Sequence, residues 1–321
     1  MWRGRERESE TQRYEKFVKQ FFLDDYLEES SPRNARAIYE SDRKQETINV
    51  SVLARNNEDT LSHTLSMFVH LEQSVACKFY YVFIENGSTD RTRELIIEFL
   101  SLRNGVLKSP ENAESYEGQH RVLRIANARN TVKSYLLNEA TWTLVVDTNV
   151  FFNVETILAL FRQHPTRNGA GMLCAYGEIA DVTEVNGRVM IEGYVHYYDT
   201  YAFTLKTEKG LQSFWPLCLF KECISCQKNL EGLGFLSRGA AINVASAFGG
   251  LAIIRTSLLR HESINFYSID LNKASKLIDE TPGVMERNFM CEWVGFCRSL
   301  DKISGEKILV VPESVVYYRG E

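Results

Sequence analysis

An apolar run that stops abruptly on a carboxylate constrains this chain more than any other stretch: residues 142–153 read WTLVVDTNVFFN. Thr143–Val146 is short, β-branched and unbroken, the pattern of a strand covered on both faces inside a parallel sheet. Asp147 then sits at the strand's carboxyl end, where open α/β sheets bind their ligands. A hard divalent cation takes carboxylate, carbonyl and water oxygens, and Mg²⁺ or Mn²⁺ is commonly held by one or two protein groups plus substrate phosphates. Asp147 fits that role, with Asn149 two residues on as a neutral oxygen donor. The same Asp-x-Asn also serves as turn chemistry, since both side chains bond nearby backbone. The surrounding pattern has to decide between the two readings.

That pattern is strand, polar loop and helix in alternation. Ile48–Leu53 reads as a strand, 54–58 (ARNNE) as its loop, and Leu61, Leu65, Phe68 and Leu71 as the buried stripe of a helix that Asp59 or Thr60 caps. Tyr80–Ile84 is the next strand, and 85–90 (ENGSTD) leads into a helix carrying Leu95, Ile96 and Phe99. Val106–Lys108 is a short third strand, and a helix over 121–137 feeds the strand that ends at Asp147. Such alternation implies parallel crossovers. Three strand ends, at Ala54, Glu85 and Asp147, are therefore expected to share one crevice. Further on, 155–161 reads as a helix, 169–176 as a strand, 181–190 as a hairpin turning at Asn186-Gly187, 285–300 as a helix, and 308–318 as a terminal strand broken by Pro312.

The fold class expected is α/β, with a mostly parallel central sheet, helices on both faces and a mixed region in the second half. With 321 residues, the chain divides into a helical lead-in (1–46), a half built on the three loops (47–153) and a second half of the same domain (154–321). Hydrophobic content of 44% and charged content of 25% are ordinary for a globular protein, and a net charge of −5 offers no general attraction for nucleic acid. The amino terminus is charged from its third residue, which excludes the apolar core of a signal peptide, and no run approaches the ~20 apolar residues that span a bilayer. The expected location is the cytoplasm, or the Golgi lumen if a leader precedes Met1. The seven cysteines are odd in number and scattered, as for reduced thiols. Cys223 and Cys226 form a lone C-x-x-C pair, without the second pair or histidines that a zinc site needs.

The loops carry what a nucleoside-diphosphate sugar requires. Asn56 and Glu58 from the first loop, and Glu85 and Asn86 from the second, present amides and carboxylates suited to ribose hydroxyls and base edges. Gly87 permits a tight turn, and Ser88 and Asp90 are natural helix caps. A diphosphate must be neutralised by basic side chains or a cation. Arg121, Arg124 and Arg129 lie on the helix just before the Asp147 strand.

At these residues the chain resembles nucleotide-sugar glycosyltransferases of the A-type (GT-A) fold. Residues 50–58 (VSVLARNNE), 84–92 (IENGSTDRT), 126–130 (ANARN) and 145–149 (VVDTN) stand in that family's order and spacing. The arrangement is most similar to the fungal capsule-associated α-1,3-mannosyltransferases, and more broadly to the family-2-like enzymes. The resemblance implies that Ala54, Asn56, Glu58 and Glu85, with Asn86, line the nucleoside pocket, and that Arg124 and Arg129 face phosphate or donor sugar. It implies Mn²⁺ or Mg²⁺ at Asp147, although Asn149 replaces the second acid of the usual Asp-x-Asp. In the second half, 246–255 (SAFGGLAIIR) is similar to the acceptor-side segment, and Glu292 occupies the place of a general base for an acceptor hydroxyl. The function implied is transfer of a hexose, GDP-mannose being the nearest donor among GDP- and UDP-sugars, to a glycan or glycoconjugate. Two alternatives stand beside it: a nucleotide-sugar-binding protein that has lost catalysis, and a sugar nucleotidyltransferase. The glycine-free first loop argues against the latter.

Overall fold

The computed structural model describes residues 46–111, 118–163, 168–185, 188–197, 201–207, 210–213, 240–268 and 290–319. The proposed lead-in up to residue 45, the Cys223/Cys226 pair and the Asn186-Gly187 turn lie outside them.

Four parallel strands form the first half of the sheet: β1 (Thr47–Ala54), β2 (Lys78–Glu85), β3 (Gly105–Lys108) and β4 (Trp142–Asp147), in the order β3-β2-β1-β4. Their side chains alternate between two cores, as the two-residue pleat requires. Tyr81, Phe83, Leu144 and Val146 face one, which is covered by α1 (Glu58–Ser74), α2 (Thr92–Leu100) and α4 (Val154–Arg162). Val82, Ile84 and Val145 face the other, covered by α3 (Arg121–Val132), the short α5 (Thr256–Leu259) and α6 (Glu292–Ser304). Burial on both faces is why these strands read as continuous apolar runs. Each large side chain so buried contributes about 1.5–3 kcal/mol.

The strand order reverses between β1 and β4, with β2 and β3 on one side and the later strands on the other. That is the position where an open α/β sheet leaves a crevice at its carboxyl edge. The register aligns the edge: Ala54 pairs with Glu85, and Leu53 with Asp147. Buried Asn49 in β1 fixes the approach to β4, since its amide accepts from Leu137 N at 3.0 Å and donates to Leu137 O at 3.0 Å.

The second half is mixed. β11 (Leu251–Arg255) runs antiparallel to β4 and to β6 (Ala170–Val185), and β12 (Lys307–Arg319) runs parallel to β6. The rest of the path is β10 (Ile242–Ser246), β8 (Thr204–Thr207) and β9 (Gly210–Ser213), while β5 (Val150–Phe151) pairs with β12 and β7 (Arg188–Tyr197) with β6. The strand expected over 169–176 runs on into the first arm of the hairpin expected over 181–190, making one long strand, β6, and that hairpin's second arm is the start of the antiparallel β7. Pro312 bends the last strand without ending it. The β6–β12 register shifts between Val311 and Val315, a bulge that accommodates a residue with no N–H to give. The described part of the last helix begins at Glu292, where the sequence reading began it at 285.

Candidate active site

Two loops stand at the β1 and β2 ends, and each is built from the other. Asn56, in the left-handed region at φ 52, donates its N–H to Ser88 Oγ at 3.0 Å, and its side-chain oxygen accepts from Thr89 N at 2.8 Å. Asn57 N donates to Thr92 Oγ1 at 2.7 Å. Asp90 accepts from Glu58 N with one oxygen and from Thr92 N with the other, both at 3.0 Å, so a single carboxylate serves the starts of α1 and α2. Its slight burial tends to raise its pKa, but these bonds and one from the Thr92 hydroxyl outweigh that and hold the carboxyl below its usual range. Glu58 in turn accepts from Arg91 N at 3.1 Å. The cap expected from Asp59 or Thr60 is therefore supplied from the neighbouring loop.

Glu85 is buried at the β2 terminus, where it accepts from Ser88 N and, at 3.1 Å, from Arg93 Nη1. Asn86 N bonds Ala54 O at 3.1 Å, tying the two strand ends together. Ala54 is buried, while Asn56 is exposed and Glu58 and Asn86 are half-buried.

On the opposite face Arg129, a buried residue of α3, joins the two acids expected to do chemistry. Its Nη2 donates to Asp147 Oδ1 at 3.0 Å and its Nε to Glu292 Oε1 at 3.1 Å. Aromatic rings wall the guanidinium: Trp293 at 4.6 Å, Phe248 at 5.0 Å and Phe266 at 5.9 Å from its carbon. Phe248 and Trp293 stack on each other at 4.1 Å. Burial alone would lower the Arg129 pKa, but the two carboxylates overcome it and hold the group more firmly charged than usual. At Asp147 burial pushes the carboxyl up and outweighs the opposing pull of Arg129 and Arg121.

The backbone around this cluster is equally fixed. Asp147 N donates to Gly250 O at 2.9 Å, and Gly249 and Gly250 both take positive φ. A methyl on Gly249 would overlap the Ala175 carbonyl oxygen, and one on Gly250 the Tyr318 hydroxyl. Behind Arg129, Asn130 exchanges two hydrogen bonds with the Phe266 backbone, at 2.7 and 2.9 Å. Lys133 Nζ donates to Ile264 O at 2.7 Å and to Asn265 Oδ1 at 2.6 Å. These bonds seat Phe266 against the guanidinium.

The carboxyl edge is shared as the sequence implies, but the pleat divides it. Asp147 leans towards α3 and meets Arg129, whereas Glu85, one β1 register position further along, leans towards α2 and meets Arg93. Arg124 also parts from Arg129, because five residues of helix turn the side chain by about 140°. Arg124 is half-buried and its Nε has no hydrogen-bond partner among the described residues, and Arg121 is exposed. Sequence reasoning did not find Arg93, the Asp90 double cap or the aromatic box around Arg129. The adjacency of Trp293 to Glu292 was the one local hint of that box.

For a cation, Asp147 offers the oxygen that Arg129 leaves free, and Asn149 stands exposed beside it with no bonded neighbour among the described residues. No group of three or more His, Cys, Asp or Glu side chains is placed to hold a metal among the described residues. This donor set suits an ion completed by substrate phosphates and water, not one caged by protein alone.

A family model described as Cryptococcal mannosyltransferase 1 matches residues 42–281, about three quarters of the chain. The chain belongs to that family. The Cryptococcal mannosyltransferase 1 match begins just before β1 and takes in Asp147, Arg129 and the Gly249-Gly250 turn, though not Glu292. No curated protein sequence matches the chain. Among solved structures, Staphylococcus aureus TarS 1-349 is similar over 85% of this chain at 15% identity with a TM-score of 0.45. GalNAc-T7 with UDP, GalNAc and Mn²⁺ is similar over 87% at 14% and 0.47. Mycobacterium tuberculosis glucosyl-3-phosphoglycerate synthase is similar over 91% at 12% and 0.45. The chain spans 60% of the TarS fragment, 45% of GalNAc-T7 and 77% of the synthase. No described helix is long and apolar enough to cross a membrane.

Proposed function

We propose that the protein is a hexosyltransferase that moves a sugar from a nucleoside-diphosphate donor to a hydroxyl of a glycan or glycoconjugate. GDP-mannose is the first donor to test among GDP- and UDP-sugars, given the family's description. The observation that carries the reading is the meeting of Asp147, Arg129 and Glu292 at the carboxyl end of β4, beside the point where strand order reverses.

In this reading 47–153 hosts the donor and 154–321 the acceptor. The loops holding Ala54, Asn56, Glu58, Glu85 and Asn86 border the nucleoside. Arg121 and Arg124, which form no ion pair among the described residues, are the cations available to the diphosphate, while Arg129 is committed to Asp147 and Glu292. Asp147 and Asn149 would hold Mn²⁺ or Mg²⁺ together with donor phosphate, and the ion would offset charge on the departing diphosphate. Glu292 takes the proton of the attacking hydroxyl. Among the described residues its Oε2 meets only the weak S–H of Cys291, at 3.5 Å.

The test is donor hydrolysis and transfer across GDP- and UDP-sugars, with Mn²⁺ and with chelator. Asp147→Ala is expected to lower turnover by about 10²–10³-fold in a protein that stays folded by circular dichroism. Undiminished turnover in that variant would overturn the assignment. The committed state of Arg129 and the neutral Asn149 favour a second reading, a protein that binds the nucleotide sugar without turning it over. Calorimetric binding with no product formed would select it.

A further inference from the structure

We propose that Arg129 is a built-in counter-cation, a positioning residue that makes cation capture at Asp147 depend on the donor's diphosphate. The inference rests on the reading of Asp147 as a cation ligand, and it concerns what the chain does before a donor arrives.

Counting charge within the cluster gives the reason. Two carboxylates face one guanidinium at 3.0 and 3.1 Å, and Arg121 adds a second positive charge that bears on Asp147. The position two residues after Asp147 carries a neutral amide. A bare divalent ion therefore meets little net negative charge and, at Asp147, the one carboxylate oxygen that Arg129 leaves free. Hard cations bind well only where several anionic oxygens surround them. Arg129 cannot simply swing aside, because Trp293 and Phe248 flank it and Phe266 is pinned behind it by Asn130. A diphosphate supplies the missing oxygens, so ion and donor enter as one unit.

Glu292 sets the balance. Its carboxylate shares the guanidinium with Asp147, and so leaves Asp147 only part-neutralised. Removing the guanidinium and removing the Glu292 charge should then shift cation affinity in opposite directions, which loss of a merely structural contact would not do.

The experiment is calorimetric titration of the full 321-residue chain with Mn²⁺, alone and with saturating GDP or UDP. The wild type is expected to bind Mn²⁺ only when nucleotide is present. Arg129→Met is expected to bind Mn²⁺ alone at least about tenfold more tightly than wild type, and Arg129→Lys, which keeps the charge, to return to weak binding. Glu292→Gln is expected to weaken nucleotide-dependent Mn²⁺ binding. If Arg129→Met does not fold, Glu292→Gln decides: weakened binding supports the proposal and unchanged binding overturns it. Mn²⁺ binding to wild type that is as tight without nucleotide as with it, or no gain in Arg129→Met, also overturns it. Failure of the glycosyltransferase reading would look different, as wild type that binds no nucleotide with or without Mn²⁺, and the Arg129→Met comparison with Mn²⁺ alone would still be read.

Discussion

Arg129 serves two carboxylates with one guanidinium, and its removal would leave both acids in a poorly solvated place. Arg129→Met is expected to cost about 3–5 kcal/mol in urea-unfolding free energy, with Arg129→Lys recovering part of it, because an ammonium keeps the charge but loses the two-pronged geometry. Gly249 is as demanding for a different reason: positive φ combined with contact against the Ala175 carbonyl. Gly249→Ala should lower stability by about 3 kcal/mol or more, read from the same melts. Asp147 and its Val145–Val146 run were legible in sequence because an apolar strand ending on an acid is a local signal. The Arg129 pairings were not, since one partner lies 163 residues away and no short motif names which of three arginines on one helix turns inward. Helix phase does mark it: Arg129 falls in line with Val122 and Ala126, which are buried, and Arg124 does not.

At the level of elements, the paired loops behave as one unit. α1 and α2 both start on Asp90, so Asp90→Ala takes a cap from two helices and is expected to cost about 1–2 kcal/mol, measured by thermal unfolding. Donor binding should weaken with it, because Asn56 and Glu85 are held by bonds to the same 88–92 segment. Asp90→Asn should recover most of the stability, since an amide offers one accepting oxygen. The alternation of strand and helix over 47–147 was readable because buried parallel strands are uniformly apolar and their helices carry a regular stripe. The second half was harder to read. Strand β6 is long enough to read as a strand followed by the separate first arm of a hairpin, and β12 carries a proline that argues against a continuous strand unless a bulge takes it.

Across the whole molecule, acid sensitivity should have an identifiable component at His63. This residue is buried in α1 with Nε2 at 3.1 Å from the Phe152 carbonyl, and burial lowers its pKa from 6.5 to about 4. The unfolded chain takes up a proton near pH 6.5 and the folded one resists until about 4, so stability falls as pH is lowered through that window. The loss amounts to about 3 kcal/mol. His63→Gln should flatten that part of the stability profile, and a wild-type profile no steeper than the variant's between those limits would remove His63 from the account.

β11 has one more implication. It comes from the far half of the chain, yet it zips along β4, and the Gly250 carbonyl just before it receives the Asp147 amide. A fragment ending at 163 would carry every donor-side motif and still leave β4 as a bare, apolar border, inviting the same strand from another copy to bind there. Such a fragment is expected to precipitate or to exchange segments between molecules, and a synthetic peptide covering 248–256 should compete for that vacant border.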